Sequence, residues 1–244
     1  MSELRGKRVV VSGGGTGIGR AIALAFAREA ARVAIAGRRE EPLVETAGIA
    51  GADAGVIFRT CDVAERSDVD AFFAWARGEL CGVDILIHCA GTNAPRRSVA
   101  ETTVEDWETI LRINATGGFH CMQAVLPEMR ERRDGLIVCI NSTSGLRSYP
   151  LGGVAYCASK FALTALGRLA AHEVREEGVR VTNIYPGEVE TPILDRRPVP
   201  VSAEHRARIL QPEDVAAMVL AVAKLPPRAH VAELLIKPTT QEFI

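Results

Sequence analysis

Aromatic side chains are scarce: 5% of the 244 residues, with two Trp and three Tyr. That favours closely packed helices on a sheet over an aromatic-rich β-sandwich. Charge of one sign is scarce too, since 29 Lys and Arg against 30 Asp and Glu leave a net charge of −1. That balance gives no electrostatic footprint for nucleic acid or for an anionic membrane, so neither is expected as a partner. No apolar run approaches the ~18–20 residues of a membrane-spanning helix, and MSELRGKRVV lacks the apolar stretch of a signal peptide. A cytoplasmic location is the expectation. The six cysteines (61, 81, 89, 121, 139 and 157) show no C-x-x-C and no zinc-ligand spacing with His. They are expected as reduced, buried thiols acting as small hydrophobes, with no disulfide and no metal.

What is present is aliphatic and repetitive. Ala alone fills 35 positions, which suits helices lying close on a sheet. Short apolar runs at 8–12, 32–37, 55–61, 84–89, 135–140, 180–185 and 233–236 read as strands. They do not alternate apolar with polar, so both faces of each should be covered, as in a parallel sheet. Helical segments fall between them, from Ile18 onward and near 40–50, 66–80, 104–131, 155–177 and 212–224. The βαβα alternation predicts an α/β fold: a single doubly wound parallel sheet of about seven strands with helices on both faces. One domain, 1–244, is expected. Stretches 92–99, 142–153 and 187–210 escape the pattern, and all follow strand ends, where such sheets bind ligands. The last, rich in Pro and Arg, reads as a substrate lid or as a plain surface excursion.

Ser12-Gly13-Gly14-Gly15-Thr16-Gly17-Ile18-Gly19 lies between the first strand and the first helix. Glycines there let the backbone turn and approach a pyrophosphate, whose charge the helix N–H groups stabilise. No Lys-[Ser/Thr] follows, which argues against a nucleotide triphosphatase loop. About twenty residues on, an NAD site would offer Asp or Glu to the ribose hydroxyl. Here the second strand ends Ala36-Gly37-Arg38-Arg39. A guanidinium can hold a 2′-phosphate that a carboxylate would repel, so NADP(H) is preferred over NAD(H). Glu40 and Glu41 stand near enough to compete for Arg38 and Arg39, and Asp62 is placed to accept from an adenine amino group.

Tyr156-Cys157-Ala158-Ser159-Lys160 opens a helix, with phenol and ammonium on one face at i, i+4. A cation beside the phenol is expected to bring its pKa below the usual value near 10. Fourteen residues earlier, Ser142 ends the fifth strand, where its hydroxyl can donate to a substrate carbonyl. Asn114 sits inside a helix, where it either faces water or holds a water that relays protons to Lys160.

Taken together and in this order, the glycine spacing, Asp62, Ala90-Gly91, Asn114, Ser142, Tyr156/Lys160 and Pro186-Gly187 with Thr191 resemble the classical short-chain dehydrogenase/reductase family over nearly the whole chain. The resemblance implies a Rossmann fold, a nicotinamide cofactor, and interconversion of a secondary alcohol and a carbonyl. It implies Tyr156 as acid/base, Lys160 on the nicotinamide ribose, Ser142 on the carbonyl and Asn114 in the relay. It further implies cofactor contacts from Gly13, Thr16, Gly17, Ile18, Gly19, Arg38, Arg39, Asp62, Val63, Ala90, Gly91, Tyr156, Lys160, Pro186, Gly187, Val189 and Thr191. A homotetramer or homodimer packed through the helices near 104–131 and 155–177 is implied as well.

Three departures stand out. His88-Cys89 replaces the family's Asn-Asn, so His88 is either a catalytic imidazole or a structural one that takes over the asparagine's hydrogen bonds; its strand-end position favours the second. The Ser-to-Tyr spacing is one longer than usual, leaving Thr143 as an alternative donor. The ending Glu233–Gln241 lacks the usual glycines and is similar to the NADP-dependent subgroup that includes serine and 3-hydroxy acid dehydrogenases. A small hydroxy acid substrate agrees with Arg96, Arg97 and Arg147 near the mouth, although solvated surface arginines account for them equally. The rival from another class is an inactive NADP-sensing regulator, which should have lost Tyr156 or Lys160.

Overall fold

Seven runs rich in Val, Ile and Leu extend as strands, the inner five because both their faces find cover. In the computed structural model, which describes residues 3–51 and 54–242, they are β1 (Arg8–Ser12), β2 (Arg32–Gly37), β3 (Val56–Thr60), β4 (Ile85–His88), β5 (Gly135–Ile140), β6 (Val179–Pro186) and β7 (Glu233–Ile236). All neighbours pair in parallel, in the order β3-β2-β1-β4-β5-β6-β7. The order reverses between β1 and β4, so a crevice opens beyond the carboxyl ends of these two strands.

The helices are α1 (Gly17–Arg28), α2 (Glu40–Ala50), α3 (Arg66–Leu80), α4 (Val104–Leu111), α5 (Gly117–Arg132), α6 (Val154–Glu173), α7 (Ala203–Arg206) and α8 (Pro212–Ala223). One apolar layer packs α1, α2 and α8 on the sheet through Ala21, Ile22, Phe26, Leu43, Val215 and Val219. The opposite layer packs α3, α5 and α6 through Phe72, Phe73, Met122, Val125 and Leu163. Small residues on α1 and α8, among them Ala23 and Ala216, let those two helices meet closely.

Five expected elements differ. β3 and β7 sit at the sheet's edges and stay partly exposed, because only one neighbour covers each. The helix expected over 104–131 is interrupted by a wide turn, Arg112–Thr116, where Gly117 N–H bonds Arg112 O five residues back. The helix expected to reach 177 ends at Glu173, and the chain reverses through Gly178 (φ +76°), packed on the Arg133 carbonyl. Segment 187–210 is not featureless: Val189 pairs with Leu210, and a 3-10 turn (Pro192–Arg196) and α7 lie between.

Of the six thiols, Cys61, Cys121, Cys139 and Cys157 are buried, whereas Cys81 is exposed as the left-handed residue closing α3. No helix among the described residues is long and apolar enough to cross a membrane.

Candidate active site

The glycine loop is shaped by close approach. Gly13 has φ +73°, and a Cβ there would stand 2.8 Å from Ala90 N, so β1's exit and the segment after β4 touch backbone to backbone. A Cβ on Gly19 would collide with the Gly13 carbonyl, and one on Gly17 would stand 3.0 Å from Thr191 Cγ2. The loop thus brings Gly13, Gly17, Gly19, Ala90 and Thr191 to one place. Arg20, which the sequence reading passed over, holds the loop from outside: its Nε and Nη2 donate to Gly15 O at 3.0 and 2.7 Å. α1 starts at Gly17 with no side-chain cap from Thr16 and no acid in its first turn. Its N–H groups are left for an anion, as a pyrophosphate requires.

Arg38 and Arg39 lie exposed after β2, and neither they nor Glu40 and Glu41 form an ion pair among the described residues. The expected competition is absent: Glu40 and Glu41 open α2, while the arginines precede it. Register places Arg59 of β3 opposite Ala36, adding a third cation that the motif reading did not use. Asp62 is half-buried, its Oδ1 accepting from Ala64 N at 3.0 Å, with Val63 buried beside it against Gly117.

The wide turn after α4 carries Asn114, which is fully buried. Its Oδ1 accepts from Thr92 N (2.7 Å), while Nδ2 donates to Thr92 O (2.9 Å) and Ser159 Oγ (2.9 Å). The carboxamide therefore faces the interior, not water, and both its amide hydrogens are committed to protein acceptors. Ser159 in turn donates to Tyr156 O at 2.7 Å. Read as spacers in the sequence, Ser159 and Thr92 tie the turn to α6. The only sequence signal for this was Ser159's place one residue before Lys160.

On α6, buried Lys160 donates from Nζ to Ile140 O at 3.1 Å, and burial brings its pKa down to about 8. Gly91 adjoins it: a Cβ there would lie 3.7 Å from Nζ and 3.6 Å from Asn114 Oδ1. Tyr156 stands with its ring centroid 5.6 Å from that ammonium, and the Ser142 hydroxyl beside its phenol acts to lower the phenol's pKa. Burial nevertheless pushes the phenol up to about 12, opposite to the expected direction, and this desolvation outweighs the lowering from its polar neighbours. Ser142 also accepts from Ser144 N (3.1 Å), whereas Thr143 pairs with the Tyr149 hydroxyl at 3.0 Å.

At the far side, Gly187 N–H bonds Ile236 O at 2.7 Å just after Pro186 ends β6, and buried Val189 leads to Thr191. Arg196 donates to Thr92 Oγ1 (3.0 Å) and Asn93 O (3.2 Å), tying segment 187–210 to the loop after β4.

His88 is fully buried, with Nδ1 3.0 Å from Ser12 Oγ. That hydroxyl also accepts from Cys89 N (3.2 Å) and Ala90 N (3.4 Å), so it donates its own hydrogen to Nδ1 and leaves the imidazole proton on Nε2. Nε2 has no hydrogen-bond partner, which makes His88 only half the satisfied imidazole expected. Burial, with Lys160 nearby, drops its pKa to about 3.

Over residues 7–199 the chain matches the model of the short chain dehydrogenase family. It is 36% identical over 242 residues to glycine betaine reductase ATRR of Emericella nidulans, covering 96% of this chain but only 19% of that much longer protein. It is 32% identical over 238 residues to an uncharacterized oxidoreductase of Staphylococcus aureus, covering 98% of this chain and all of that one. Among solved structures, a closed form of serine dehydrogenase complexed with NADP+ matches with TM-score 0.88 and 31% identity, over 96% of each chain. An alcohol dehydrogenase from Thermococcus sibiricus complexed with 5-hydroxy-NADP matches with TM-score 0.88 and 26% identity, over 98% of this chain and 99% of that one.

An unfolded histidine takes up its proton near pH 6.5, and folded His88 only near pH 3. Between these values the unfolded state binds one proton more, so the stability His88 contributes falls as pH is lowered through that window. In His88→Asn, urea titrations at pH 7 and pH 5 should show a drop smaller by about 2 kcal/mol than in the parent. An unchanged drop would contradict the buried, neutral imidazole.

Proposed function

The chain belongs to the short-chain dehydrogenase family, and on that premise we propose that it is an oxidoreductase, NADP(H)-preferring, that interconverts a secondary alcohol and a carbonyl with Tyr156 as acid/base. The convergence of Tyr156, Ser142, Lys160 and Asn114 at the mouth of the switch-point crevice carries this reading.

The residues present fit a dinucleotide. The α1 N-terminus is uncapped, Gly13 and Gly19 leave no room for a side chain, and Arg38 and Arg39 carry no counter-charge among the described residues. Gly13, Thr16, Gly17, Ile18, Gly19 and Thr191 would hold the pyrophosphate, and Arg38 with Arg39 the 2′-phosphate. Asp62, Val63 and Ala90-Gly91 would flank the adenosine side, and Pro186-Gly187 and Val189 the nicotinamide. When bound, the nicotinamide supplies or accepts the hydride. The chain's own part is the proton. A Tyr156 phenol held near 12 stays protonated at neutral pH and gives that proton to the carbonyl oxygen as the carbon receives the hydride. The Ser142 hydroxyl donates to the same oxygen and stabilises its growing charge. Lys160, at about 8, would hold the ribose and return a proton toward Tyr156. The Asn114 carboxamide is fully engaged, so any relay water would rest on the turn's main chain. Segment 187–210 serves as the lid of a one-domain enzyme that works as a homodimer or homotetramer in the cytoplasm. The presence of both Tyr156 and Lys160 speaks against an inactive sensor.

A panel of carbonyls and alcohols with both cofactors, followed at the absorbance of the reduced nicotinamide, tests the reading; turnover of none would overturn it. Tyr156→Phe should lose turnover by at least ~100-fold, the scale of general acid catalysis, while still quenching its fluorescence with NADPH. For cofactor choice, Arg38→Ala should raise the KM for NADPH about 10-fold or more and leave that for NADH within ~2-fold, since charged hydrogen bonds to phosphate are lost only in the first. Equal changes would remove Arg38 from the phosphate site.

A further inference from the structure

Three arginines were candidates to meet an acidic substrate, and the structure separates them. Arg96 points away to Asp106, with Nη2 2.9 Å from its carboxylate. Arg147 is exposed and already has a partner. Arg97 is different. Its Nε donates to Ala94 O (3.3 Å), Nη1 to Leu151 O and Nη2 to Arg196 O (3.3 Å). These acceptors are neutral carbonyls, and no carboxylate pairs with Arg97 among the described residues.

The same residue is built into the reactive helix. The Arg97 carbonyl accepts the N–H of Val154, the first residue of α6 and two before Tyr156, at 2.9 Å. Gly153 packs on its stem so closely that a Cβ would stand 2.7 Å from Arg97 Cβ. The guanidinium is thus held by three walls of the mouth: the loop after β4, the loop before α6 and segment 187–210. It is part-buried, and the charged or titratable groups facing it are Arg197, Tyr156, Tyr149 and Cys157. Arg197 is itself neutralised by Glu188 at 3.2 Å. A fixed cation, partly removed from water, beside the phenol and with no anion of its own is costly unless an anion arrives.

We propose that Arg97 is the substrate-recognition residue of this site and that it takes the carboxylate of a carbonyl or hydroxy acid whose reacting carbon lies at Tyr156. This deepens the oxidoreductase reading and rests on it. Burial and the neighbouring Arg197 both act to lower the Arg97 pKa, the strain that a bound carboxylate would relieve. With Nε and one hydrogen of each Nη on carbonyls, two N–H groups remain, enough for a carboxylate fork.

The test compares one carbonyl with and without charge: acetoacetate and its methyl ester, each reduced with NADPH. Wild type should favour the acid. Arg97→Gln, which keeps a polar amide and removes the charge, should lower the acid-to-ester ratio of kcat/KM about 10-fold or more, mainly through KM, and Arg97→Lys should recover part of it. Equal losses on acid and ester, or a shift of the kcat–pH profile common to both, would overturn the inference while leaving the oxidoreductase reading intact. Should neither compound be turned over, calorimetry on the wild-type protein with butyrate and butyramide decides. Heat from butyrate alone that vanishes in Arg97→Gln supports the carboxylate site; no preference for butyrate overturns it. Because wild type alone already distinguishes butyrate from butyramide, a variant that fails to fold does not shield the proposal.

Discussion

One buried carboxamide joins the parts that must keep their distances. Asn114 satisfies both main-chain polar groups of Thr92 and the Ser159 hydroxyl, which holds the Tyr156 carbonyl. Three chain segments meet there: the loop after β4, the turn between α4 and α5, and α6. A regular helix would keep its N–H and C=O groups in register four residues apart; the wide turn Arg112–Thr116 breaks that register and lets the side chain reach inward. Loss of the carboxamide would leave two buried main-chain groups unpaired, at about 1–3 kcal/mol each. Gly117 and Gly118 belong to the same arrangement. A Cβ on the first would meet Val63 Cγ2 at 2.6 Å and on the second Leu163 Cδ1 at 2.8 Å, so α5 can lie this close only without side chains there.

That scaffold sets opposite conditions on two groups four residues apart. Lys160 is buried with a carbonyl as its acceptor, and its proton is held loosely, near 8. Tyr156 is held the other way, near 12, because burial outweighs the lowering from the Ser142 hydroxyl. The chain on its own therefore stores the phenol in the protonated form and keeps a softer proton behind it. A cation introduced at the crevice would act on both in the same direction, favouring phenolate and neutral amine.

The seven-strand sheet was legible because strand residues buried on both faces cannot alternate, and β1, β2, β5 and β7 fall where the apolar runs do. The helix ends at 40–50 and 66–80 were equally legible. What escaped were features set by tertiary hydrogen bonds. Nothing in Arg112-Ile113-Asn114 announces a wide turn, since its cause, Thr92, lies 22 residues away. The Tyr156 pKa went the other way because helical spacing places an ammonium near a phenol but does not say how deeply the phenol is buried. His88 was half read: its strand-end burial was legible, the unpartnered Nε2 of its ring was not.

The balanced charge of the chain conceals a sorting of its arginines. Arg8, Arg20, Arg66, Arg96, Arg112, Arg130, Arg168 and Arg206 each meet a carboxylate, and they brace loops and helix ends. Arg38 and Arg39 at one end of the crevice and Arg97 at the other meet none among the described residues. Exposed pairs contribute little to stability, so their absence at Arg38 and Arg39 costs the fold almost nothing. At Arg97 the absence is dearer, because the guanidinium is part-buried and faces a second arginine. A protein with 30 acidic side chains had the means to neutralise it. On the proposed reading, Arg38 with Arg39, the uncapped start of α1 and Arg97 are three separate places at which an anionic group would be stabilised.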